Sequence, residues 1–406
     1  MAVLPAISIE GAKGVGKTAT AQRRAGRVFT LDDDETRAVV SGNPKAVLQG
    51  DTSVFIDEWQ LVPSVWNVVR HAVDDGAVPG KFLLAGSALP GKETRIHSGA
   101  GRIVRMMMRP LSLPERGLET PTVSLAALLA GGAPIDGITS IGVGDYLDEI
   151  LSSGLPGIRS AAPGARSDLL QSYVDRIVDH EIDELSERSR RSESVRAWLA
   201  AYGAATATTT SYSTLLDAAT PGEDDKPGRA TAMVYRDLLQ RMWVLDPLPA
   251  WIPGWGHIDR LGQAPKHHLV DPALAAVLVG ATSESLLTGA GPAGVKRDGT
   301  FFGALFESLA VQTVRVLAAA GATTAHFRRN GGEQEVDVIV VRPDRRVLAV
   351  EVKLAATVRP ADVRGLNWLA TQAPDMVVDK VLLNTGTIAY RRPDGVAVVP
   401  LALLGL

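Results

Sequence analysis

Over its first 113 or so residues the chain alternates short apolar runs with stretches of helical character. Ala6-Ile7-Ser8-Ile9, Val54-Phe55-Ile56 and Phe82-Leu83-Leu84-Ala85 are runs of the first kind. Short apolar runs of this kind suit the strands of a parallel sheet. The segments between them fit crossover helices, so the pattern predicts a parallel α/β sheet from Ala6 to about Leu113. The rhythm then changes. Leu169 to Val178 places apolar residues at three- and four-residue intervals and predicts an amphipathic helix. Beyond Gly303 a strongly apolar helix, Leu305 to Ala318, precedes two β-branched runs, Val336 to Val341 and Val347 to Lys353, which read as a hairpin.

Gly- and Pro-rich punctuation at Gly131 to Pro134 and at Ser152 to Gly157 leads into a mainly helical middle. There the order is a helix from Val195, a short helix at Thr214 to Asp217, an acidic loop at Glu223-Asp224-Asp225, a helix from Ala230 to Arg241 and the extended Trp243-Val244-Leu245. Helix, helix, helix, strand is the order of a winged-helix module. The expected division is 1–120, a nucleotide-binding core; 121–190, a helical connector; 191–295, the winged-helix-like part; and 296–406, a second α/β domain.

The 406 residues are 46% hydrophobic and 21% charged, the balance of an ordinary globular chain. No run looks apolar enough for a membrane span, and the first strand begins too early for a signal peptide, so a cytoplasmic protein without a membrane partner is expected. With no cysteine and no metal-ligand spacing among the seven histidines, any metal should be held by oxygen. His267-His268 reads as a partly exposed strand pair. The net charge of −3 makes any nucleic-acid surface a local one. Two arginine groups could supply it, Arg102, Arg105 and Arg109, and Arg188, Arg190, Arg191 and Arg196.

Between the first strand and the helical segment after it lie Gly11, Ala12, Lys13, Gly14, Val15, Gly16, Lys17, Thr18 and Ala19, which contain G-x-x-x-x-G-K-[ST]. Backbone N–H groups of such a loop cradle phosphates, the lysine supplies charge, and Thr18 offers a hydroxyl to Mg²⁺. Downstream, Val54-Phe55-Ile56 ends in Asp57 and Glu58. Asp57 is placed to hold the metal and Glu58 to deprotonate the attacking water, so ATP or GTP is the expected ligand. Ser87, at the end of the third run, is expected to sense the γ-phosphate. Arg102 is the candidate for an arginine reaching a neighbouring subunit's nucleotide, which would require a homo-oligomer.

A second set of charges lies near the C-terminus. With a turn centred on Asp344, Asp337 and Glu351 face each other across the hairpin, where their Cβ atoms would be about 5 Å apart. A divalent cation, Mg²⁺ or Mn²⁺, would relieve their repulsion. Glu307 could complete the metal site, and Lys353, on the face of Glu351, could bear charge developing on a phosphodiester. An inactive nuclease fold and a plain solvent-facing hairpin are the other readings of E…D…E-x-K.

Taken in order, the motifs are more specific than any one of them: G-A-K-G-V-G-K-T, T-L-D-D-D-E-T-R, F-I-D-E-W-Q, L-L-A-G-S-A, A-G-R-I with P-L-S-L, G-L-P-G-I, K-H-H-L-V-D-P-A-L-A, G-A-L-F-E-S-L and E-V-D…E-V-K. The chain resembles a bacterial and archaeal family of AAA-type P-loop ATPases whose C-terminal half is a domain of unknown function with a PD-(D/E)xK nuclease-like end. The resemblance implies an ATPase core, a helical and winged-helix middle, and a restriction-endonuclease-like α/β terminal domain. It also implies ATP as the nucleotide, DNA as a partner, and roles in DNA transactions. One departure concerns the helix around Tyr173: relatives tend to show R-D after it, whereas this chain reads Asp179-His180-Glu181. An arginine's role there carries over only if Arg176 assumes it. The alternative from another class is a nucleotide-dependent switch or scaffold that binds a protein partner and cuts nothing.

Overall fold

A computed structural model describes residues 3–86, 99–182, 192–220, 229–253, 263–288, 299–319, 321–329 and 332–406. The chain forms two compact units, Met1–Pro110 with Asp237–Val244, and the remainder.

The first unit runs β1 (Ala6–Glu10), α1 (Lys17–Gln22), β2 (Arg27–Thr30), α2 (Asp34–Gly42), β3 (Val54–Asp57), α3 (Ser64–Asp74), β4 (Phe82–Gly86) and β5 (Ile103–Met107). Its strands pair in the order β2-β3-β4-β1-β5, all in parallel. Every residue of β1, β3 and β4 is buried. Alternation sorts them onto two faces: Val54, Ile56, Phe82 and Leu84 join Val65, Trp66 and Val69 of α3 in one core. Ile7, Ile9, Phe55, Leu83 and Ala85 join Ala21 of α1 in another. A sheet covered on both sides explains the unbroken apolar runs of the sequence. The edge strand β2 escapes such a reading because only Phe29 of its four residues is buried.

In the second unit the expected helices appear as Arg166–Arg176, Ser192–Ala204, Tyr212–Ala219 and Arg229–Arg241, the last continuing into the first unit from Asp237. Isolated antiparallel bridges Leu245↔Leu269 and Leu248↔Lys266 follow. The acidic loop Glu223-Asp224-Asp225 lies outside the described residues. The mixed sheet comprises β6 (Thr323–Arg329), β7 (Gln334–Val341), β8 (Val347–Val352), β9 (Val377–Asn384), β10 (Tyr390–Arg391) and β11 (Ala397–Pro400). Their order is β10-β11-β9-β8-β7-β6, with β8-β9 and β9-β11 parallel and the other pairs antiparallel. The β7-β8 hairpin has the register expected, Val338↔Val350 through Val341↔Val347.

The helix Gly299–Ala318 corrects one expectation. By length and composition Phe301–Ala318 is apolar enough to cross a membrane, but 72% of it is buried within the protein, the position of a core helix. Distant segments are tied to this core by polar bonds. The buried Asp271 accepts from Ser153 Oγ at 3.0 Å, Gly154 N at 2.6 Å and Ala273 N at 2.9 Å, capping the helix Pro272–Leu278. Leu404–Gly405 pairs in parallel with Val123–Ser124, and Ala402 N donates to Tyr146 Oη at 3.0 Å. Burial pushes the Tyr146 hydroxyl up to about 12, so it remains neutral.

Candidate functional site: the phosphate loop and a lysine-filled carboxylate cluster

The loop from Gly11 to Gly16 leaves the C-terminal end of β1 and enters α1, the end at which parallel α/β sheets bind nucleotides. Gly11 has φ +156°, and a Cβ there would stand 2.2 Å from Met108 O, so no other residue fits. Gly16 caps α1 in the left-handed conformation, φ 95°. Lys13 is half-buried and Ala19 is exposed on α1. Lys17 is 7% exposed, and its Nζ donates to Gly11 O at 2.8 Å and Ala12 O at 2.9 Å. Those contacts hold the ammonium over the loop, where phosphate oxygens can serve as acceptors.

Asp57, the last residue of β3, accepts from Thr18 Oγ1 at 2.7 Å. Burial pushes its carboxyl above the ordinary value, and the Thr18 hydrogen bond works against that rise. A hydroxyl beside a carboxylate is an oxygen donor set suited to Mg²⁺. Glu58 follows in a left-handed conformation, φ 49° and ψ 43°, and accepts a hydrogen bond from Gln60 Nε2. This backbone kink turns the chain at the strand end, and Gln60 fixes the carboxylate.

Other expected residues fare differently. Ser87 lies outside the described residues. Arg102 donates from Nε to Asp74 Oδ1 at 2.8 Å. It precedes Ile103, which pairs with Ala6 at the start of β1, so Arg102 stands at the end of the sheet away from the loop. Arg109 stands at the loop end, because Met108 N donates to Glu10 O at 2.7 Å. Of the second arginine group, Arg188, Arg190 and Arg191 lie outside the described residues, and Arg196 pairs with Asp175 and Asp179.

In the second unit Glu307, Asp337, Glu351 and Lys353 do converge, around a residue that the motif does not include. Lys266 Nζ lies 2.8 Å from Glu307 Oε1, 2.9 Å from Glu335 Oε1 and 2.9 Å from Asp337 Oδ1. Its side chain is 1% exposed. Lys353 Nζ donates to Glu351 Oε1 at 2.6 Å, and Val352 N donates to Asp337 Oδ2 at 2.9 Å. The expected metal set of Glu307, Asp337 and Glu351 is therefore not met: among the described residues no group of three or more acidic or histidine side chains is arranged to hold a metal ion. The physical reason is the lysine ammonium among the carboxylates.

Electrostatics follow from this packing. Burial, reinforced by Asp337, pushes Glu307 up to about 8 and Glu351 likewise to about 8. Burial also works against ionised Asp337, but Lys266 and Lys353 outweigh it and hold that carboxyl below its ordinary value. Burial works against the Lys266 charge, and Asp337, Glu307 and Glu335 more than offset it. His267 and His268 are buried rather than partly exposed, at 0% and 2%. Their rings meet Thr210 O at 2.7 Å and Ser308 Oγ at 3.2 Å, and burial lowers both pKa values.

Sequence reasoning missed Lys266, Glu335 and Asp271. The signal for two of them was the stretch Lys266-His267-His268-Leu269-Val270-Asp271, whose charged ends bracket an otherwise buried run.

Residues 4–116 match the AAA domain family, so the first unit carries a P-loop core of AAA type. Residues 144–285 match a domain of unknown function, DUF8612, and residues 302–404 another, DUF4143. The uncharacterized proteins Mb2031c of Mycobacterium bovis and Rv2008c of Mycobacterium tuberculosis are each 24% identical over 284 residues, 68% of this chain. The chain thus spans only about half of those relatives, 56% of their length. Among solved structures, the Walker-type ATPase PABY2304 of Pyrococcus abyssi is 16% identical, with a TM-score of 0.36 over 68% of this chain and 91% of that one. The ORC2 protein of Aeropyrum pernix, solved as ADPNP-ADP complexes, is 13% identical, with a TM-score of 0.27 over 71% of this chain and 90% of that one. Overlaps this loose bear no weight on activity.

Proposed function

We propose that this chain is an ATP-hydrolysing, AAA-type ATPase that acts on DNA. The 2.7 Å contact between Thr18 and Asp57 carries the first half of that reading, because it brings the ends of α1 and β3 together beside the phosphate loop. Mg²⁺ carried in with ATP would be held by these two oxygens and would neutralise charge on the β- and γ-phosphates. Lys17 supplies the second positive charge to the phosphates. Glu58 takes the proton of the attacking water, its carboxylate aimed by Gln60. Ser87 would sense the γ-phosphate, and an arginine acting in trans, Arg102 or Arg109, would make turnover depend on a homo-oligomer.

Action on DNA draws support from a cavity of about 420 Å³ in the second unit, lined by Trp251, Phe327 and Trp368 with Arg328 and Arg329. Trp251 and Phe327 belong to the core, with Phe327 stacked on Trp368 at 5.8 Å, so the half-buried Arg328 and the exposed Arg329 are the groups that a phosphate would meet at this cavity. A winged-helix reading of residues 191–295 would add a second DNA-binding element. A switch that binds a protein partner is the second reading, favoured by the net charge of −3.

Steady-state phosphate release by the full chain, with and without single-stranded and duplex DNA, tests the proposal. Hydrolysis that DNA stimulates, abolished in Lys17→Ala and in Glu58→Gln, is the expected result. Failure of the wild-type chain to hydrolyse any triphosphate overturns the ATPase reading, and hydrolysis indifferent to DNA, with no DNA bound, favours the switch.

A further inference from the structure

The carboxylate cluster of the second unit already holds a cation, and that cation belongs to the chain itself. Three oxygens, from Glu307, Glu335 and Asp337, surround Lys266 Nζ at 2.8 to 2.9 Å. This is the spacing of charge-assisted hydrogen bonds, about 2.7–2.9 Å, and it exceeds the roughly 2.0–2.6 Å at which Mg²⁺ or Ca²⁺ binds oxygen. The lysine is anchored at its backbone too. Lys266 N donates to Leu248 O and Leu248 N donates to Lys266 O, both at 2.9 Å, so withdrawing the side chain would leave buried carboxylates beside a fixed main chain.

Two ammonium groups share the charge that one divalent ion would supply. Lys266 neutralises one side of Asp337, and Lys353 lies against Glu351, two residues before it in the chain. One oxygen remains over: Glu351 Oε2 is buried and makes no hydrogen bond, although the residue is only 8% exposed.

We propose that Lys266 is the resident cation of a site whose carboxylates would otherwise take a divalent metal ion, and that this lock keeps the second unit from metal-dependent phosphodiester cleavage. The segment carrying Lys266 thereby becomes a strut between the helix Gly299–Ala318, through Glu307, and the sheet, through Glu335 and Asp337. The inference is independent of the ATPase reading, since Thr18 and Asp57 take no part in it.

Mn²⁺ binding to the full-length, nucleotide-free chain, followed by the electron paramagnetic resonance signal of free Mn²⁺, tests the lock. In the wild-type background Asp337→Asn is expected to leave Mn²⁺ binding unchanged. Lys266→Ala should bind one further equivalent of Mn²⁺, lost again in Lys266→Ala/Asp337→Asn. A fall in Mn²⁺ binding on Asp337→Asn alone overturns the proposal, and so does a folded Lys266→Ala chain that binds no more Mn²⁺ than the wild type. Where Lys266→Ala does not fold in metal-free buffer, Lys266→Gln carries the same comparison, and refolding of either variant by Mn²⁺ but not by Na⁺ supports the lock. Failure of both to fold with Mn²⁺ present overturns it, because the site would then require lysine itself rather than a cation.

Discussion

Thr18 Oγ1 donates to Asp57 Oδ2 at 2.7 Å, and the bond joins residues 39 apart in sequence. Replacing Thr18 by Ala removes one of two oxygens suited to Mg²⁺ while leaving the helix intact, since Ala is the better helix former. ATP turnover should fall by a factor of about 10² or more, the scale on which lost electrostatic stabilisation of a transition state is felt. The Mg²⁺ concentration giving half-maximal rate should rise. An unchanged Mg²⁺ titration in Thr18→Ala would remove Thr18 from the metal's coordination.

Gly11→Ala should disable the loop more severely than its small size suggests. The added carbon would lie 2.2 Å from Met108 O, at a backbone angle of φ +156°. The main chain at Met108 must then shift, and the loop with it. Equilibrium binding of a fluorescent ATP analogue should be lost, with the melting temperature lowered. Wild-type affinity in Gly11→Ala would contradict the close approach.

Asp271→Ala strips one carboxylate of three donors at once, Ser153 Oγ, Gly154 N and Ala273 N. Loss of a helix cap alone costs about 0.5–2 kcal/mol, and a buried donor left unsatisfied adds about 1–3 kcal/mol. A loss of about 2–4 kcal/mol is expected in urea denaturation of the second unit. Asp271→Asn, which keeps an acceptor oxygen, should lose less. Equal losses for the two substitutions would mean that charge, and not hydrogen bonding, is what the site needs.

Acid should weaken the second unit through His326. Burial, with Lys266 adding to it, lowers this imidazole from 6.5 to about 4, while the hydrogen bond to Ala264 O and the charge of Glu335 oppose the shift and Arg328 assists it. The unfolded chain therefore binds a proton first as pH falls. Stability is present in full above 6.5 and is lost between 6.5 and about 4. The slope is roughly 1.4 kcal/mol per pH unit, or about 2 kcal/mol by pH 5. His267 and His268, also lowered by burial, act in the same direction. Unfolding midpoints of His326→Gln between pH 7 and 4.5 should show a shallower acid limb. The same slope as wild type would mean that His326 is already protonated in the folded chain.

What could be read in advance depended on how local the cause was. The phosphate loop is set by glycine conformations and a lysine within eight residues, 11–18, and the hairpin register by a turn around Asp344 between β-branched runs. Lys266 was not legible in this way. It reaches Glu307 across 41 residues and Asp337 across 71, and only tertiary packing brings them together. Glu335 escaped for a related reason, since a carboxylate near the start of a strand usually faces water. Arg102, expected to act on a neighbouring subunit's nucleotide, lies by strand pairing at the end of the sheet away from its own loop, a placement that the spacing of apolar runs does not give.

Leu404–Gly405 pairs with Val123–Ser124, and Tyr146 takes a hydrogen bond from Ala402. During synthesis these two contacts of the middle of the chain can form only after more than two hundred further residues have been made. A chain truncated after residue 401 should accordingly be far more sensitive to protease in the second unit than the 406-residue chain.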